Sequence, residues 1–127
     1  CLRLAAEQGA PRLVDGDIDS IMGMLSCGIA STPAWAVLRS RVYAYLTLGE
    51  AEAPAAVHWL AAQSCEGSPL AIGASGAAGA AGLRKSCASP ELREALGLSA
   101  GSRVLLVATE RDVDDLLGAT TTAEGAP

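Results

Sequence analysis

Phenylalanine is absent from this 127-residue chain, and aromatic residues make up 3% of it. A core without large rings must be filled by aliphatic residues and above all by Ala, which is about a fifth of the chain, more than ordinary globular usage. Basic residues are scarce: 9 face 14 acidic ones, for a formal net charge of -5. The few Lys and Arg are interleaved with acids, so no surface tracks a phosphate backbone and nucleic-acid binding is excluded. Lysine occurs once, at Lys85, and histidine once, at His58. Cys1, Cys27, Cys65 and Cys87 form no C-x-x-C pair, which argues against a zinc site or a disulfide framework and reads as reduced thiols. No run reaches the ~18 consecutive apolar residues of a membrane span, and the opening Cys1-Leu-Arg-Leu lacks the regions of a signal peptide. The expectation is a cytoplasmic protein with no membrane partner.

What is present suffices for one folded domain: 50% hydrophobic residues against 18% charged ones exclude wholesale disorder. The start at Cys1, running into Gly9-Ala-Pro-Arg-Leu-Val-Asp-Gly16, reads as a segment of a longer chain. Ile18, Ile21, Met22 and Leu25 recur at helical spacing between a possible cap, Asp17, and a stop, Gly28. Thr32-Pro33 signals a second helix start, continued by Trp35, Leu38 and Val42. Val42-Tyr-Ala-Tyr-Leu-Thr-Leu48 is rich in β-formers and predicts a buried strand, with a crossover helix over 50–63 and a loop over 64–69.

Leu70-Ala-Ile72 then predicts a strand that turns through Gly73-Ala-Ser-Gly76 into a Gly- and Ala-rich helix able to lie close against a sheet. Ser89-Pro90-Glu91 opens a short helix stopped by Gly97, and Arg103-Val-Leu-Leu-Val-Ala108 predicts the last strand. Strands alternating with helices imply parallel βαβ units. The expected fold is therefore α/β, a three-layer, partial parallel sheet with flanking helices, over residues 1–114, with a disordered tail over 115–127.

Two places are candidates for chemistry. The turn Gly73-Ala-Ser75-Gly76, between a strand and a helix, converges backbone N–H groups that suit an anion, although taken alone it is explained more simply by small residues for tight helix-to-sheet packing. The second is Thr109-Glu110-Arg111-Asp112 at the carboxyl edge of the last strand, where ligands of open sheets bind. A hydroxyl there can donate to an unprotonated ring nitrogen. A solvated charged turn is the alternative. His58 has no triad or metal partner at suitable spacing, Cys27 sits where a helix C-terminus would raise a thiol pKa, and Lys85 suits a solvated cation.

The residues also carry a family resemblance. The stretch 15–28 with Trp35-Ala-Val-Leu38 resembles the "T-I-M-A-G-L-x-C-G … A-W-x-x-L" segment of diaminopropionate ammonia-lyases. Ile72-Gly-Ala-Ser-Gly-Ala-Ala-Gly79 looks like their "G-E-S-G-A-A-G", Pro90-Glu-Leu-Arg-Glu-Ala-Leu-Gly-Leu98 like their short helix, and Ser102-Arg-Val-Leu-Leu-Val-Ala-Thr-Glu110 like "S-R-V-L-L-x-x-T-E-G". Four collinear matches across roughly residues 1–114 are more specific than any one. The resemblance implies the C-terminal part of a fold type II pyridoxal-phosphate enzyme, of the tryptophan synthase β-like kind. It implies a lyase with pyridoxal 5'-phosphate as cofactor that converts an amino acid such as 2,3-diaminopropionate to pyruvate and ammonia, and a homodimeric parent.

By position, the resemblance places Thr109 opposite the pyridine nitrogen, Ser75 and Gly76 beside the ring, and the turn from Gly23 to Cys27 at the border of the site. The family's Schiff-base lysine and phosphate cradle have no counterpart in this sequence, so no catalytic residue is assigned and the chain alone is expected to be inactive. Met24 stands where the family has Gly, Ala74 where it has Glu, and Arg111 where it has Gly. Alternatives are another fold type II activity such as a threonine or serine dehydratase or a threonine synthase, a catalytically dead interaction domain, or an anion-binding module around Gly73–Gly79.

Overall fold

The computed structural model describes residues 1–65 and 68–111, with the backbone alone at 64, 65, 68 and 69. Its first helix, α1 (Leu2–Gln8), had no sequence signal beyond a few apolar residues, and it ends at Gly9, whose φ of 72° is the left-handed conformation that glycine adopts without strain. Helix α2 (Thr32–Leu38) has Pro33 in its first turn, and its N-cap is Ser31, one residue before the expected Thr32. The Ser31 hydroxyl accepts from the Ala34 N–H at 3.5 Å. Three more helices follow, α3 (Glu52–Ala61), α4 (Ala78–Ala88) and α5 (Pro90–Ala95). Ser89 ends α4 and caps α5, accepting from the Leu92 N–H at 3.2 Å, and Gly97 at φ 63° terminates the pair.

Small side chains let these helices approach closely. Ala56 and Leu60 of α3 pack on Ala77, Ala80 and Ala81 at the start of α4, with Leu48, Val57, Leu70 and Ile72 around them. A separate cluster joins Ala5 of α1 to Ala30 and Trp35, with Cys1 and Tyr45 against it. The Trp35 and Tyr45 rings stand 6.5 Å apart, centre to centre, so two of the four aromatic residues meet in this cluster.

The expected three-layer α/β fold with a partial parallel sheet is not what forms. Among the described residues the strands are β1 (Ser64–Cys65) and β2 (Ser68–Pro69), an antiparallel pair of two residues each, plus a lone antiparallel bridge between Ile72 and Arg111. The segments 42–48 and 103–108, both expected to be strands, have no strand pairing, and 70–72 contributes the single bridge. Their β-branched and aromatic residues disfavour a helix, but a strand exists only when a neighbour pairs with its backbone, and among the described residues none pairs with theirs. Both segments instead run over α4: a Cβ at Gly79 would meet Leu106 at 3.7 Å, and one at Gly82 would meet Leu46 at 3.8 Å. The close approach expected of the Gly and Ala-rich helix is therefore made, to unpaired segments rather than to a sheet.

The helix expected between Asp17 and Gly28 shrinks to one 3-10 turn, Gly23–Leu25. Asp17 accepts from the Asp19 N–H at 2.9 Å, and Ser20 accepts from the Met22 N–H at 3.1 Å. Such local bonds compete with helical ones for the same amides, and Gly23 adds a conformational entropy penalty. The expected tail over 115–127 lies outside the described residues.

Candidate functional site

Three segments far apart in sequence meet at the start of α4. The turn Gly73-Ala74-Ser75-Gly76 is closed by Ala77 N–H to Gly73 O at 2.9 Å and Ala78 N–H to Ser75 O at 3.3 Å. Its Ser75 and Gly76 amides both point at the Glu110 carboxylate, donating to Oε2 at 2.8 Å and 3.1 Å. The Ser75 hydroxyl in turn accepts from the Met24 N–H at 3.1 Å, which joins the 3-10 turn carrying Gly23 to the same place. Thr109 precedes Glu110 and is exposed. Gly23, Ser75, Gly76 and Thr109 are thus held in one constellation by hydrogen bonds of their own or of an adjacent residue.

Glu110 lies in the second candidate segment, where sequence reasoning assigns it no role of its own. Its backbone is pinned as well, its carbonyl accepting from the Gly73 N–H at 3.3 Å. A Cβ at Gly73 would lie 2.9 Å from its Oε2, and one at Gly76 would lie 2.6 Å from its carbonyl oxygen. The glycine spacing of the turn is therefore matched to Glu110, a signal that was readable as two glycines three apart but had no partner assigned. The converging amides expected to suit an external anion already hold this carboxylate, so the anion-module reading loses its site.

The three residues that differ from the resembled pattern fall in different environments. Met24 is 77% exposed, so its side chain points outward while its backbone serves Ser75. Ala74 brings no carboxylate to the turn, and the one that reaches it belongs to Glu110. Arg111 is exposed and bridges to Ile72 through the backbone.

Other candidates do not join the site. His58 Nδ1 lies 2.8 Å from the Pro54 carbonyl oxygen of its own helix. Cys27 is exposed and unbonded to another thiol. Lys85 is tied at 3.0 Å to both Glu52 Oε2 and the Thr47 carbonyl oxygen, so its amine holds 47–49 and α3 against α4. The Gly49 N–H and then Lys85 hold the Glu52 carboxyl below its usual range. No group of three or more metal-ligating side chains exists among the described residues.

A cavity of about 600 Å³ opens along α4, where Gly79 and Gly82 line it together with Leu46, Val104, Leu106 and Met22. None of Gly23, Ser75, Gly76 or Thr109 lines it. No described helix is long and apolar enough to cross a membrane. No protein-family model, curated protein or solved structure matches the chain.

Of the groups a pyridoxal phosphate needs, these residues offer hydroxyl donors for a ring nitrogen and none for the phosphate. The exposed Thr109 hydroxyl suits a ring nitrogen, and the Ser75 oxygen, which accepts from Met24, keeps its own O–H to donate. The amides beside them are taken by Glu110 and cannot serve the phosphate.

Proposed function

We propose that the chain is part of a pyridoxal-phosphate-dependent ammonia-lyase that releases ammonia from 2,3-diaminopropionate, or a related amino acid, to give pyruvate. What carries this reading is the hydrogen-bonded meeting of 23–25, 73–76 and 109–110, since each of these segments holds one of the motif matches and a shared site requires them together. When bound, the cofactor supplies an electron sink for loss of the α-proton and departure of the β-amino group. Thr109 would donate to the pyridine nitrogen and leave it unprotonated, because a hydroxyl, unlike a carboxylate, does not stabilise the charged ring. Ser75 and Gly76 would border the ring, and the Gly23 turn would border the amino acid.

The chain's own residues do not complete such a site. Lys85, its single lysine, is committed to Glu52 and Thr47, and no other amine side chain is present. The 127 residues alone are therefore expected to be inactive, and catalysis to belong to a longer, homodimeric, cytoplasmic parent. The test is a titration of the gene's complete product with pyridoxal phosphate, followed by 2,3-diaminopropionate, recording absorbance, pyruvate and ammonia. A cofactor band that responds to substrate with release of both products supports the reading. A folded product that contains a further lysine and yet forms no band overturns it.

A further inference from the structure

We infer that Glu110 is a positioning residue: its carboxylate, seated on the Ser75 and Gly76 amides, clamps the Thr109 segment to the turn that presents Ser75 and so sets where the two hydroxyls stand. What the hydroxyls face rests on the reading above; the clamp does not. A solvated charged residue at the end of an extended segment would need none of the features found here. Two N–H groups converge on one oxygen at 2.8 Å and 3.1 Å. The Glu110 carbonyl takes the Gly73 N–H, and the next residue bridges to Ile72, so side chain and backbone are docked on the same turn. Both glycines nearest the carboxylate and the carbonyl lack the space for a side chain.

The electrostatics favour the arrangement. The turn leads into the N-terminal end of α4, an 11-residue helix whose N-cap, Ala77, offers no side-chain acceptor. Unpaired amides and the helix dipole both attract a negative charge there, and Glu110 supplies one from 34 residues away. Charge-assisted bonds of this kind are stronger than neutral ones. The clamp reaches further through Ser75, whose hydroxyl accepts from Met24. Displacing the carboxylate frees the turn, and the Gly23 turn loses the fixed acceptor that orders it.

The experiment is amide NMR on the intact 127-residue chain, comparing the natural protein with Glu110→Gln and Glu110→Ala. In the natural protein the Ser75 and Gly76 amide signals follow one carboxylate titration, and added inorganic phosphate does not move them. In Glu110→Gln that titration vanishes, and exchange at Ser75, Gly76 and Met24 quickens by about tenfold, as expected when a charged acceptor becomes neutral. In Glu110→Ala the emptied amides shift on addition of phosphate. Amides indifferent to pH in the natural protein, phosphate shifts equal to those of the alanine variant, or unchanged exchange at Met24 would each overturn the inference. If either variant fails to fold, the titration and phosphate series of the natural protein still decide. A failed cofactor titration of the complete product, with these amide signals intact, overturns the lyase reading and leaves the clamp standing.

Discussion

A Cβ on Gly76 would stand 2.6 Å from the Glu110 carbonyl oxygen and 2.9 Å from Ile72 Cγ2, closer than real side-chain carbons come. The obstacle is backbone, which cannot swing aside as a side chain can. Gly76→Ala should therefore destabilise the chain by about 1–3 kcal/mol, the usual range for overpacking. Gly73→Ala should cost less, because its clash at 2.9 Å is with the far end of the Glu110 side chain. That variant should instead dislodge the carboxylate from Ser75 and Gly76. Urea unfolding of both variants checks the order, and equal losses would contradict it.

How much of this was legible depends on whether the determining partner lies nearby in sequence. Ser89 and Pro90 announce α5 because a cap bonds only three residues ahead, and the acids, Pro54 and apolar stripe of 50–63 contain most of what α3 needs. The strands are not legible for the opposite reason. Val104 to Val107 show that the backbone avoids a helix, but pairing depends on a neighbour that no local pattern reveals. Glu110 was hidden in the same way, since Ser75 and Gly76 lie 35 and 34 residues from it. Helix α1 was missed because Leu2 to Gln8 carries no side-chain cap, and its buried residue is an alanine.

The Glu52 to Lys85 pair makes stability depend on pH. The Gly49 amide and then Lys85 lower the Glu52 carboxyl pKa in the fold from a reference value of 4.5. A depressed carboxyl pKa contributes stability above the unfolded value and loses it as pH falls through the folded one. The chain should thus lose stability below about pH 4.5, and Glu52→Gln should flatten that part of the profile. Both side chains are about one-third exposed, so the Coulombic share is small and screened by salt. Thermal midpoints between pH 3 and 7 give the comparison; identical slopes in variant and natural protein would refute the assignment.

Ser89 serves α5 twice, accepting from the Leu92 N–H at 3.2 Å and donating to Glu91 Oε2 at 2.7 Å. Its hydroxyl is the first cause of a lowered Glu91 pKa, followed by the Glu91 backbone N–H. Ser89→Ala should cost about 1 kcal/mol as a lost helix cap. It should also move the Glu91 carboxyl back up toward its ordinary range. Denaturant unfolding measures the first effect and carbon-detected carboxyl titration the second, and a variant that changes neither would show that α5 does not depend on this cap.

The unpaired segments predict self-association. Among the described residues, no backbone N–H of 43–48 or 103–109 donates to another backbone group, and Leu105 and Val107 are 88% and 70% exposed. An apolar extended segment with free amides is a template for pairing with another chain. The natural chain should sediment as concentration-dependent oligomers. Leu105→Lys with Val107→Lys should shift it toward monomer, since charges on such a segment oppose edge-to-edge association. Because both side chains are exposed, the double variant should change intrinsic stability by no more than about 0.5 kcal/mol per site. A natural chain that stays monomeric at high concentration and unfolds in one cooperative transition would show that its extended segments need no partner strand.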